Sequence, residues 1–162
     1  MKVFWTALAI VAALLVQTAL GRVFPLQARL FDPFLLVVVY CGLTGGETHG
    51  MLAGAAAGWV QDVHFGGRIL GLSALSKLLV GFAVGVGSTR FHLAEPAARL
   101  LVIIVATLVD AVLFGQLAKV FDVQSYELSP LALMVRSLVN GAAGMVVFET
   151  FDRQLRRWMV RA

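Results

Sequence analysis

The sequence predicts an all-α integral membrane protein, a compact bundle of six transmembrane helices with five as the alternative. Three observations predict it. The chain is 60% hydrophobic and 14% charged, whereas a soluble domain is about 45–50% apolar and roughly 25% charged. Mean hydropathy is +0.90, which leaves too little polar surface to cover a water-exposed fold. Apolar runs separated by short polar patches recur through all 162 residues, and at about 20 residues per span that length holds five or six helices and little else. These features exclude a soluble globular enzyme.

The first run, Val3 to Leu20, is interrupted only by Thr6, Gln17 and Thr18. It exceeds the usual signal-peptide core of about 7–15 residues and is read as an uncleaved span. The second, Phe31 to Leu43, begins beside Asp32-Pro33 and holds Cys41, the only cysteine. A lone cysteine in an apolar run packs as a small hydrophobe. The third, His49 to Asp62, is rich in Gly and Ala. Thirteen helical residues reach only about 20 Å, against a hydrocarbon core of about 30 Å. The second and third runs therefore extend into their flanks, sit in thinned bilayer or form a re-entrant pair. The fourth covers Ile69 to Gly87 and the fifth Ala97 to Phe121. Ser129-Pro130 has the pattern of an N-cap with proline at the first helical position, opening a sixth helix to Phe148.

Residues 1–150 thus form the transmembrane domain, and residues 151–162 a basic cytoplasmic tail. In the tail, Phe151, Leu155, Trp158 and Met159 share a helical face, with Arg153, Arg156, Arg157 and Arg161 around it. Such a helix suits an anionic leaflet surface, with docking of a cytoplasmic partner as the alternative. The net charge of +4 reads as topology rather than as nucleic-acid binding. With six spans and the N-terminus inside, Lys2, Arg90, Arg99 and the four tail arginines lie on one side. Arg22, Arg29, Arg68 and Lys119 lie on the other. The excess places both termini in the cytoplasm. Trp5, Trp59, Tyr40 and Tyr126 fall near predicted helix ends, where amphipathic rings prefer to sit.

Gly50, Gly54, Gly58 and Asp62 recur every four residues and share one face of the third helix. Small residues in that register let a second backbone approach closely. Ser73, Lys77, Gly81 and Gly85 repeat the spacing in the fourth helix, with Gly71 just before them. Arg136, Asn140 and Gly144 repeat it in the sixth. These stripes turn away from lipid, and Asp110 in the fifth helix completes a set of buried ionisable groups. By depth, Arg136 is expected to pair with Asp110, while Lys77 snorkels to Asp62. The competing reading of intramembrane charges is a proton or ion path. A path needs an acid free to titrate, and here each buried acid has a candidate cation.

No motif predicts catalysis, a metal or a cofactor. His49, His64 and His92 read as isolated loop residues without zinc-ligand spacing. Gly85-Val86-Gly87 is a fragment of a dinucleotide fingerprint on a hydrophobic helix, and Gly45 to Gly50 lacks the Lys-Ser/Thr of a phosphate loop. Ser73 and Ser76 beside Lys77 suggest a packing pair more readily than a Ser-Lys nucleophile.

Residues 32–87 carry a family resemblance. Asp32-Pro33 leads into an apolar stretch ending at Tyr40. The ladder Gly50-x3-Gly54-x3-Gly58-Trp59-Val60-Gln61-Asp62 follows, then Gly66-Gly67-x3-Gly71 and Leu78-Leu79-Val80-Gly81. This segment resembles the rod shape-determining protein MreD, and the apolar first span and short basic tail also fit. The resemblance implies a non-enzymatic subunit of the bacterial elongation machinery in the inner membrane. Its implied partners are MreC, and through the complex MreB, RodZ, the RodA glycosyltransferase and its transpeptidase, with lateral peptidoglycan synthesis as the process positioned. The family is similar in fold to the six-helix substrate-binding S components of energy-coupling-factor transporters. The alternative function is therefore an S component for a vitamin or metal ion, toward which Ala9-x3-Ala13 is a weak pointer.

Overall fold

The computed structural model describes residues 2–25, 30–65, 69–91, 95–122 and 129–159, with side chains of those between 3 and 150. Its described residues form five helices: α1 (Lys2–Val23), α2 (Pro33–Phe65), α3 (Leu72–Arg90), α4 (Pro96–Val120) and α5 (Pro130–Met159). By length and composition α1, α3, α4 and α5 can each cross a membrane. The chain is therefore an all-helical, multi-pass membrane protein.

The expected second and third runs appear within one of the five elements, α2, as two helical legs joined at a non-helical residue. Gly46 interrupts α2 with φ 79° and ψ −170°, a conformation closed to residues with a Cβ. The chain turns back there. A Cβ on Gly50 would come within 2.8 Å of the Gly42 Cα, although eight residues of straight helix would separate them by about 12 Å. The far ends of the two legs also meet, with Phe34 and Phe65 in edge-to-face contact at 6.4 Å. The second and third runs therefore form a helical hairpin closed at Gly46.

Side-chain contacts order the bundle. Thr6 near the start of α1 bonds the His49 ring at 3.1 Å, just past the bend, and Thr18 bonds His64 at 3.2 Å. Both histidines lie in α2, not in loops as the sequence suggests; His92 lies outside the described residues. Tyr40 meets Phe148 of α5 edge to face at 5.2 Å. The start of α1, the Gly46 bend and Phe148 therefore share one end of the bundle, and Asp32, Asp62 and the start of α3 share the other.

Two apolar clusters fill the interior. Leu35, Leu36, Val39, Val80 and Val84 pack with Ile103, Ala106 and Phe148. Ile10 and Ala13 of α1 pack with Phe34, Val38 and Ala57. Cys41 is buried there too. α5 opens as its sequence predicts, with the Ser129 hydroxyl accepting the Ala132 N–H at 3.3 Å. It then runs past the expected end at Phe148 to Met159, about 45 Å at 1.5 Å per residue. The side chains of Arg153, Arg156, Arg157 and Trp158, and all of Arg161, lie outside the described residues.

Candidate functional site

The glycine ladders meet each other. A Cβ on Gly54 would strike the Lys77 carbonyl, one on Gly58 would strike Ser73 and Ala74, and Gly50 and Gly81 face each other's backbones. Gly85 lies against Gly46 and Glu47, and Gly42 reaches Gly81 and Gly85 from the other leg. Both legs of α2 thus lie on α3 backbone to backbone. Gly71 has another role: its φ is 102° and a Cβ there would touch nothing among the described residues. It turns the chain into α3 rather than packing a helix face.

Asp62 closes the same corner. Its carboxylate accepts the Gly71 N–H at 2.9 Å, the Ser73 N–H at 3.0 Å and the Ala74 N–H at 3.4 Å. The residue at the N-cap of α3, Gly71, offers no side chain, so an acid from α2 satisfies the orphan donors and meets the positive helix end. The expected Lys77–Asp62 pairing is therefore corrected.

Lys77 instead joins a buried cluster toward the Asp32 end of the bundle. Its Nζ lies 2.9 Å from Asp32 Oδ2 and 3.3 Å from Asp110 Oδ2. Arg136 Nη2 lies 3.2 Å from the same Asp32 oxygen and 3.8 Å from Asp110 Oδ2. Arg136 thus reaches Asp110, its expected partner, but sits closer to Asp32. Ser76 donates its hydroxyl to Asp110 Oδ1 at 2.7 Å and to the Asp110 carbonyl at 3.1 Å. Asn140, fully buried, accepts the Asp32 N–H on Oδ1 at 2.9 Å.

Asp32 is the member that sequence reasoning misses, and Ser76 is visible there only as a neighbour of Lys77. The signal for Asp32 lies in Asp32-Pro33, an acid before proline at a helix start. It caps α2, with Oδ1 accepting the Leu35 N–H at 3.1 Å, which leaves its second oxygen for two cations.

Two acids and two cations balance, and each is held by at least one partner within the chain. Removing one member alone would leave an uncompensated buried charge, at a cost of about 3–5 kcal/mol. Its ion pairs join α3, α4, α5 and the start of α2. Among the described residues, His, Cys, Asp and Glu form no group of three able to hold a metal ion.

Glycine contacts and a charge-balanced buried cluster join the helices of a polytopic membrane protein. Comparison with known proteins narrows that class: the family model for the rod shape-determining protein MreD matches residues 1–151. The chain belongs to the MreD family. No curated protein and no solved structure matches it.

Proposed function

We propose that the protein is a non-enzymatic scaffold of the bacterial rod complex, sitting in the cytoplasmic membrane with both termini inside. There it binds MreC and helps to position lateral peptidoglycan synthesis. The observation that carries this reading is the family match over residues 1–151. The buried polar groups support it, because they face one another: Lys77 meets Asp32 and Asp110, and Asp62 meets the start of α3. Both small-residue stripes of α2 and α3 are occupied within the chain, so they are unavailable to a partner helix. Outward apolar residues remain on α1, such as Leu8 and Leu15, and on α4, such as Leu101 and Val112. One of these faces receives MreC in this reading, and lipid covers the rest. The tail of residues 151–162 lies on the anionic inner leaflet, and MreB, RodZ, RodA and its transpeptidase are reached through the complex.

Purification in mild detergent tests the proposal. MreC is expected to be retained at constant ratio, and its loss together with stoichiometric recovery of a vitamin would instead establish a substrate-binding subunit. Asp62→Asn is expected to impair rod shape in cells that depend on this protein. Normal shape would remove the α3 cap from the function.

A further inference from the structure

The four clustered charges divide evenly between two parts of the chain. Asp32 and Lys77 belong to the α2–α3 side, and Asp110 and Arg136 to the α4–α5 pair. Each side holds one acid and one base. Within the sides the pairs are Asp32–Lys77 at 2.9 Å and Asp110–Arg136 at 3.8 Å. Across the seam they are Lys77–Asp110 at 3.3 Å and Asp32–Arg136 at 3.2 Å.

The seam is unequal along its length. Toward the end that carries the termini it is apolar, with Ile103 packed among Leu36, Val80 and Phe148. The chain also passes from α3 to α4 at that end. Toward the other end the contacts are polar, and two buried donors on α5, Arg136 Nε and Asn140 Nδ2, have no hydrogen-bond partner among the described residues. The Asn140 amide cannot be turned to relieve this, because Oδ1 already accepts the Asp32 N–H.

We propose that the α4–α5 pair swings against α2–α3 on the apolar layer around Ile103, and that the four charges are the latch at the opening end. The latch releases without stranding a charge, because each side keeps its own acid–base pair. Had both acids stood on one side, separation would leave like charges together, the arrangement that buried sites cannot tolerate. An unmade buried donor disfavours the closed state, and both such donors gain access to water or lipid oxygens when the seam opens. This reading does not depend on the proposed partner.

Spin labels at Leu75→Cys and Leu138→Cys, in a Cys41→Ala background of the full chain in lipid nanodiscs, report the seam by pulsed dipolar spectroscopy. Asp110→Asn with Arg136→Gln removes both cross-seam ion pairs yet leaves Asp32–Lys77 neutral. The label distance is expected to lengthen by several ångströms. Lys77→Met with Asp110→Asn keeps Asp32–Arg136 across the seam, and the distance is expected to stay as in the parent. The proposal is overturned if the first double mutant keeps the parental distance, or if both lengthen equally. Loss of helical circular dichroism in the first would also overturn it, since a side that keeps its own neutral pair stays folded.

Discussion

α2 makes two kinds of contact. Along α3 it offers Gly50, Gly54 and Gly58, and the two backbones approach until no Cβ could fit between them. Toward α5 it offers Asp32, whose carboxylate meets Arg136 and whose N–H meets Asn140. The first contact depends on shape alone: it uses dispersion between main chains, which neither salt nor protonation alters. The second is electrostatic, with direction and partner choice, and it is costly to leave half-made. One helix thus binds one neighbour by the absence of side chains and another by specific ones. The glycine contact fixes distance, and the charge contact fixes which helix ends come together.

The largest expected effect comes from unbalancing the charge side. Lys77→Met leaves Asp32 and Asp110 with Arg136 as their only cation among the described residues, and should destabilise the fold by about 3–5 kcal/mol. Steric trapping or detergent unfolding of the purified chain measures this. Adding Asp110→Asn should recover most of the loss. No recovery would mean that Lys77 matters for its stem packing rather than its charge. Gly54→Val probes the other side. Its Cβ would strike the Lys77 carbonyl, and neither backbone can yield without pulling α2 from α3. Overpacking of this kind costs about 1–3 kcal/mol, with rigid main-chain clashes at the top of that range or above. If Gly54→Val leaves the unfolding midpoint unchanged, the close approach does not hold the helices.

The two sides also differ in how far the sequence reveals them. A fourfold glycine repeat depends only on helical geometry, so the faces bearing Gly50, Gly54 and Gly58, and Lys77, Gly81 and Gly85, are legible in the residue order alone. Their contact with each other is not. The Gly46 bend is half visible: Gly45 and Gly46 stand between the two short runs, but nothing local says how closely the two legs lie on each other and on α3. The charge cluster is legible in its members Lys77, Asp110, Arg136 and Asn140, while depth assigns one partner wrongly. Asp32 lies 45 residues from Lys77 and 104 from Arg136, and its Asp-Pro setting is already explained by capping. Depth correctly puts Asp62 beside the start of the next helix. It does not show that backbone N–H groups there claim both carboxylate oxygens before Lys77 can reach them. Arithmetic on buried charge can say that partners exist, whereas competition from unsatisfied main chain decides which ones.

A smaller effect is expected where the two kinds of contact adjoin. Asp62→Asn keeps an acceptor for the N–H groups of Gly71, Ser73 and Ala74 but removes the charge facing the end of α3. Charge-assisted bonds exceed neutral ones by roughly a factor of two, so a loss of about 1 kcal/mol is expected, with Asp62→Ala costing about 1 kcal/mol more. Amide hydrogen exchange at Ser73 and Ala74 should report it first, because the change frays that turn before it unfolds the bundle. Equal protection in Asp62→Ala and the parent would show that the carboxylate does not cap α3.

The smallest effect separates register from composition. Gly115 lies within α4, and a Cβ there would meet nothing within 4 Å among the described residues. Gly115→Ala should therefore be neutral or stabilising by up to about 1 kcal/mol, the helix-propensity difference between the two residues. The same substitution at Gly85, which lies against Gly46 and Glu47, should be clearly destabilising. Measured side by side as unfolding midpoints, the two alanines differ only in what the added methyl meets. If Gly115→Ala destabilises as much as Gly85→Ala, glycine serves this bundle through general backbone freedom. The α2–α3 contact would then owe nothing to the fourfold register.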